Sequence, residues 1–318
     1  MKRIAVTGGA GFVGTNLVRR LLSLGHEVIV IDDFSTGLKS NLTDLGCEIR
    51  ELSIVDEGAF RSAISGCEYV FHLGARGSVP RSIRNPKATF EVNTRGTLNV
   101  LDAVRESGAS IAFSSSSSVY GSNPTLPKSE KMWMAPLTPY AASKLAGEAL
   151  VQSYGASFQI PVITYRFFNI FGPWQRPDHD YAAVIPKWIW KGLRGEGIEV
   201  FGDGEQTRDF TYVDTVVDTL IDGMNRGVTH SIPVNLAFGN RISLNGLLEI
   251  LSSKIPNLTW TNRDPRPGDV RDSQNDATLL RSLFPSIVPT DFETGVSKTL
   301  KWLSDEGQLV AEIGRAHV

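Results

Sequence analysis

The sequence predicts an α/β fold, a doubly wound parallel sheet with a smaller C-terminal α+β unit. Three observations predict it. Short β-rich runs alternate with helical periods through the first half, a glycine turn follows the first run directly, and acidic residues end the second. Strand candidates are Ile4–Thr7, Glu27–Ile31, Glu48–Leu52, Tyr69–Leu73 and Ser110–Ser114, with amphipathic stretches such as Phe12–Leu24 and Glu57–Ile64 between them. Longer helical patterns run from about Ala88 to Glu106 and from Pro139 to Tyr154, and Val162–Phe168 reads as a further buried strand. Strand, helix, strand at this spacing closes into a parallel sheet covered on both faces.

After Gly172-Pro173 the texture changes, because Gly and Pro become frequent and the alternation stops. A second unit closing over the carboxyl ends of the strands is expected there. Arg208–Met224 and Pro233–Phe238 read as a helix and a strand that return to the first unit. The predicted division is therefore discontinuous: residues 1–168 with about 209–238 form the nucleotide-binding unit, and about 169–208 with 239–318 form the substrate unit.

Composition excludes several function classes. The chain has 318 residues and a formal net charge of -2, so no basic excess points to nucleic acid. Cys47 and Cys67 are its only cysteines, a usage that fits a reducing compartment better than a disulfide framework. The histidines His26, His72, His179, His230 and His317 have no ligand spacing, so no metal is expected. No uninterrupted apolar run is long enough to span a bilayer. The expectation is a soluble cytoplasmic protein.

Gly8-Gly9-Ala10-Gly11-Phe12-Val13-Gly14 sits between the first strand and the first helix. Such a turn lets backbone amides and a helix N-terminus approach a pyrophosphate. Strand two ends in Asp32-Asp33, about 20 residues on, where an acidic side chain grips a ribose hydroxyl. The alternative for Asp33 is that it merely starts a turn. Both charges would repel a 2′-phosphate, so NAD is favoured over NADP.

Tyr140-Ala141-Ala142-Ser143-Lys144 puts a phenol and an ammonium one helical turn apart. A free phenol, with a pKa near ~10, is a poor base at neutral pH. An adjacent ammonium favours the phenolate, which suits removing a proton from a sugar hydroxyl while hydride leaves the same carbon. The spacing also arises by chance, on exposed helix faces whose aromatic packs inward. The serine run Ser114–Ser118 ends an apolar strand before Val119-Tyr120-Gly121, so it reads as a strand end opening into a site, although serine runs are usually linkers.

With these pieces, the chain resembles the extended short-chain dehydrogenase/reductases of Rossmann type, specifically the nucleotide-sugar 4-epimerases. The resemblance spans nearly the whole length. It rests on Thr7 to Gly14, His72-Leu73-Gly74-Ala75, Ser114 to Gly121, Tyr140 to Lys144, Arg166 to Pro173, Gly202 to Phe210, and Arg266-Pro267-Gly268-Asp269. It implies an NAD that cycles within one turnover. Tyr140 would take the 4-hydroxyl proton as C4 hydride passes to the nicotinamide, and Lys144 would bind the nicotinamide ribose and lower the tyrosine pKa. Ser116 would hydrogen-bond the reacting oxygen, with Ser118 assisting. The 4-keto sugar then turns in the site and regains hydride on its other face.

The resemblance places Gly8, Gly11, Phe12, Val13, Gly14, Asp32, Ile54, Leu73, Ala75, Asn93, Ser114 and Phe167 along the cofactor, and Asn169, Val184, Lys187, Gln206, Arg208, Arg266 and Asp269 along the UDP-sugar. An arginine fork suits phosphate oxygens; the alternative for Arg208 and Arg266 is a surface salt bridge. Family members usually pair two helices per subunit into a homodimer, here about Ala88–Glu106 and Pro139–Tyr154. Two departures stand out. Ser53, with Asp56 three residues on, occupies the position of the usual acidic adenine contact. Ser117-Ser118 stands where related 4,6-dehydratases carry Asp-Glu, so inversion is expected over elimination.

Sugar choice is divided. Ser273 falls where enzymes restricted to UDP-glucose and UDP-galactose carry tyrosine, which leaves room for an N-acetyl group, and Ser78 would hydrogen-bond that group. The alternative is that both serines are loop residues. Gln175-Arg176-Pro177-Asp178 instead resembles UDP-glucuronate 4-epimerases, where arginine pairs with the C6 carboxylate. The expectation ranks UDP-N-acetylglucosamine slightly ahead of UDP-glucuronate, with UDP-glucose third. A catalytically silent nucleotide-sensing protein on the same fold is the reading from a different class.

Overall fold

The computed structural model describes residues 1–178, 182–265 and 271–315. Six parallel strands come first in the chain: β1 (Arg3–Thr7), β2 (Glu27–Asp32), β3 (Glu48–Glu51), β4 (Tyr69–His72), β5 (Ser110–Ser116) and β6 (Val162–Phe167). Short strands follow: β7 (Asn169–Phe171), β8 (Ile198–Phe201), β9 (Thr207–Arg208), β10 (Phe210–Tyr212), β11 (Val234–Leu236), β12 (Ile242–Ser243) and β13 (Trp260–Arg263). The helices up to β6 are α1 (Phe12–Ser23), α2 (Glu57–Ala63), α3 (Val79–Arg84), α4 (Pro86–Phe90), α5 (Thr97–Ser107) and α6 (Pro139–Phe158). Beyond it lie α7 (Val184–Leu193), α8 (Val213–Arg226), α9 (Leu244–Lys254), α10 (Thr278–Leu283) and α11 (Phe292–Arg315).

The central sheet has seven strands in the order β11-β6-β5-β4-β1-β2-β3. Alternation along each strand sends side chains to opposite faces. Ile4, Val6, Val28 and Val30 pack with Leu17, Val18 and Leu21 of α1 and Val216 and Leu220 of α8. Ala5, Ile29, Ile31 and Val70 pack with Phe60 of α2, Val100 and Val104 of α5 and Val151 of α6. Helices thus cover both faces, as the near-continuous apolar strands require. Strand order reverses between β1 and β4, which opens a crevice at their carboxyl ends.

Two expected helices are cut differently. The Ala88–Glu106 pattern is interrupted by a π-helical turn, Glu91–Gly96, between α4 and α5. The Arg208–Met224 helix begins only at Val213, because β9 pairs with β12 and β10 with β7 first. Periodicity registers neither short tertiary pairing nor an inserted residue in a helical turn. The returning strand is β11, which pairs in parallel with β6.

Candidate active site

The crevice is built from the turn after β1. Gly8 adopts φ +68, and a Cβ placed on Gly14 would lie 2.1 Å from the Gly8 carbonyl oxygen, so neither position accepts a side chain without displacement. Gly11 caps α1 with no side-chain hydrogen bond. The first amides of α1 are therefore left for an anion in the crevice. Gly8, Gly11, Phe12, Val13, Gly14, Leu73 and Ala75 line a cavity that runs on to Ser114, Ser116, Tyr140, Lys144 and Phe167. A second cavity beside it takes in Asp32, Asp33, Leu52, Ile54 and Val92. An open glycine turn, an uncapped helix start and an acidic strand end on one continuous crevice fit a dinucleotide.

α6 delivers the reactive pair. Thr138 caps it by accepting the Ala141 N–H at 3.2 Å, and Pro139 occupies its first turn. Tyr140 is thereby fixed at the helix start, with Lys144 one turn further in. The phenol hydrogen-bonds Ser116, and the Ser116 Oγ also accepts the Ser118 N–H at 3.2 Å. Lys144 is buried and its Nζ donates to the Ser114 carbonyl at 2.8 Å. Burial raises the Tyr140 phenol above its ordinary pKa, and the Ser116 hydrogen bond opposes that. The Lys144 ammonium is held on the strand carbonyl, so in this structure Ser116 is the group that opposes the effect of burial on the phenol.

Burial lowers the Lys144 ammonium to about 8, and the Glu148 carboxylate one turn along raises it. The charged lysine is complete below that value and lost as pH rises through it. Turnover that depends on the ammonium should therefore show an alkaline limb near pH 8, and Glu148→Gln should move that limb to lower pH. A pH–rate profile that stays flat from about 7 to 10 would contradict a cationic role for Lys144.

Around this centre several of the predicted residues also make local hydrogen bonds. The Asp32 carboxylate accepts the Ala10 and Phe34 N–H groups at 2.9 Å each, so it ties the glycine turn to β2, while the exposed Asp33 accepts the Ser35 N–H at 3.0 Å. Asn93, in the π-helical turn, donates to Ser143 Oγ at 2.9 Å and accepts the Arg76 N–H at 2.7 Å. The Ser53 Oγ accepts the Val55 N–H at 3.4 Å, and Asp56 caps α2. Ser78 caps α3 by accepting the Arg81 N–H at 3.3 Å. The Ser118 Oγ is buried without a partner.

Asn169, Val184, Lys187, Gln206 and Arg208 line one cavity on the far side of the crevice, which brings together the predicted nucleotide-sugar contacts. The Gln206 Oε1 there is buried without a partner. Ser273 donates its N–H to the Thr207 carbonyl at 3.1 Å, next to Arg208. Arg176 lines a different cavity, with Ser78 and Trp174, and its fork is held by Asp178 at 3.0 and 2.8 Å. Arg266 and Asp269 lie outside the described residues. Among the described residues no cluster of His, Cys, Asp and Glu could hold a metal, and no helix is long and apolar enough to cross a membrane.

Sequence reasoning missed the support beneath the site. The Ser115 Oγ donates to Glu148 at 2.6 Å, and Glu148 also accepts two bonds from Arg166 at 2.8 Å each. Arg166 continues to Tyr120 at 2.9 Å, whose hydroxyl donates to Asn235 at 2.7 Å. The available signal was position: Glu148 lies four residues after Lys144, on the same helix face.

Comparison with known proteins converges on one group. A family profile described as NAD dependent epimerase/dehydratase matches residues 4–235. The chain is 34% identical to UDP-glucuronic acid decarboxylase 1 of Xenopus tropicalis, over 96% of this chain and 73% of that protein. It is 32% identical to a putative UDP-glucose 4-epimerase of Methanocaldococcus jannaschii, over 96% of this chain and 99% of that one. A solved UDP-N-acetylglucosamine 4-epimerase from Methanobrevibacter ruminantium, in complex with UDP-N-acetylmuramic acid, superposes with a TM-score of 0.90 at 34% identity, covering 96% of this chain and 99% of its own.

Proposed function

Because the chain belongs to the NAD-dependent epimerase/dehydratase family, we propose that it is a UDP-sugar 4-epimerase, with UDP-N-acetylglucosamine its favoured substrate. One observation carries the choice of reaction. The cavity around Tyr140, Ser116 and Lys144 has no carboxylate among its described lining residues, and Glu148 below it is occupied by Ser115 and Arg166. Elimination across neighbouring carbons needs a proton donor for the departing water, whereas inversion through a ketone needs one hydroxyl to lose and regain its proton.

NAD, held along Gly8, Gly11 and Gly14 when bound, would supply a reversible hydride acceptor. Tyr140 takes the hydroxyl proton and returns it, and Ser116 holds the same oxygen in line. Lys144, anchored on Ser114, supplies positive charge that favours the phenolate once the site is filled. Phe167, Phe168 and Ile170 keep water from the reacting carbon. Asn169, Lys187 and Arg208 hold the uracil nucleotide and its diphosphate.

The sugar preference rests on Ser273, whose small side chain beside Thr207 and Arg208 suits a bulky C2 substituent. UDP-glucuronate is the second reading because of Arg176, but that guanidinium already has the Asp178 carboxylate as a partner. The test is product analysis after incubating the purified protein separately with UDP-N-acetylglucosamine, UDP-glucuronate and UDP-glucose. Conversion of the first to its C4 epimer is expected to be fastest. Preferential conversion of UDP-glucuronate would move the assignment to Arg176, release of carbon dioxide would replace epimerisation by decarboxylation, and recovery of all three unchanged would remove the enzyme reading.

A further inference from the structure

Two guanidinium groups in the crevice have no assigned role. Arg76 and Arg81 line the same cavity as Gly8, Gly11, Asp33 and Thr36, and Arg81 also lines the next one, beside Phe12 and Asn41 at the start of α1. Among the described residues neither side chain is paired with a carboxylate. The Arg76 Nε is buried without a hydrogen-bond partner. Arg76 is only half-buried, but leaving that one N–H out of water and unpaired carries a cost that a bound acceptor would remove. The Arg76 backbone is also fixed from both sides, its N–H donating to Asn93 Oδ1 at 2.7 Å and its carbonyl accepting from Asn93 Nδ2 at 3.3 Å. Arg81 stands in the first turn of α3, which Ser78 caps from a backbone at φ +110. Strain of that kind persists only where surrounding structure holds it.

We infer that Arg76 and Arg81 clamp the adenosine diphosphate half of the dinucleotide, Arg81 at the diphosphate and Arg76 at the adenosine. The assignment rests on NAD being the cofactor. The glycine turn and the start of α1 set where a diphosphate lies, and Asp33 sets where the adenosine ribose lies. Beyond the ribose the cavity is walled by Leu52, Ile54 and Val92, an apolar slot for a planar base. Arg76 lines that cavity, whereas Ser53 and Asp56 are not among its lining residues. A guanidinium plane suits both the face of a purine and its ring nitrogens. Arg81, between the two cavities, adds a cation where the uncapped helix start already favours an anion.

The experiment is equilibrium titration of the full chain, freed of co-purifying nucleotide, with ADP, adenosine, NAD and NADP. Arg81→Gln should weaken ADP about tenfold or more and adenosine far less, while Arg81→Lys recovers part of the loss. Arg76→Gln should weaken adenosine and ADP alike. Thermal unfolding of each variant separates lost contacts from lost fold, and the lysine variant keeps the question open to measurement if the glutamine variant unfolds. ADP affinities within twofold of wild type for both glutamine variants overturn the clamp. NADP binding more tightly than NAD to the wild type overturns it too, by giving the arginines a 2′-phosphate. A wild type that binds ADP but not NAD would instead overturn the cofactor reading and leave the clamp standing.

Discussion

Tyr140→Phe is expected to lower turnover of whichever UDP-sugar the wild type converts by about 10²- to 10⁴-fold, with NAD affinity nearly unchanged. The substitution removes one oxygen and keeps the ring, so packing against the start of α6 survives. What is lost is the acid–base group, because Ser116 and Lys144 cannot substitute for it. Ser116 is bonded to the phenol and to the Ser118 N–H, and Lys144 is turned toward the Ser114 carbonyl at 2.8 Å. Burial alone raises the phenol, so it needs the bound site around it to work as a base near neutral pH. Ser116→Ala should therefore cost less than Tyr140→Phe, since it removes an orienting bond and not the proton carrier. Retention of more than about a tenth of the wild-type rate by the Phe variant would refute the role of Tyr140.

The fold was legible because its signals are local. Ile4 to Thr7 and Glu27 to Ile31 alternate faces within single strands, and Gly8 and Gly14 answer a steric demand that their neighbours impose. The reactive pair was legible for the same reason, since four-residue spacing on a helix fixes a shared face. Its electrostatics were not. Spacing says that Lys144 is near Tyr140, but only tertiary structure shows that β5 offers the ammonium a carbonyl. Asp32 was recognised at the end of β2, while its bonds to Ala10 and Phe34 depend on how the turn folds back over the strand. Ser78 and Ser53, expected at the ligand, also accept N–H groups of the backbone beside them, a bond that residue type and spacing alone do not announce. The substrate side was legible only through resemblance, because β7, β9 and β10 are too short to carry a period.

The largest stability effect should come from the pair beneath the site. Arg166 and Glu148 are each 4% exposed, and they are joined by two bonds of 2.8 Å. Removing one partner strands a buried charge, so Arg166→Ala or Glu148→Ala is expected to destabilise by about 3–5 kcal/mol in urea unfolding. Replacing both, as Arg166→Met with Glu148→Leu, should recover most of that loss, because a buried ion pair contributes little beyond what apolar packing supplies. Turnover should not recover with it. Glu148 anchors Ser115, the residue between the Lys144 acceptor Ser114 and the Tyr140 partner Ser116, and Arg166 links β6 through Tyr120 and Asn235 to β11. The double variant would keep the fold and loosen the end of β5, where geometry within about 0.5 Å matters. Full activity in a stable double variant would show that the pair serves folding alone. A single Ala variant costing less than about 1 kcal/mol would show that the charges are less buried than this packing implies.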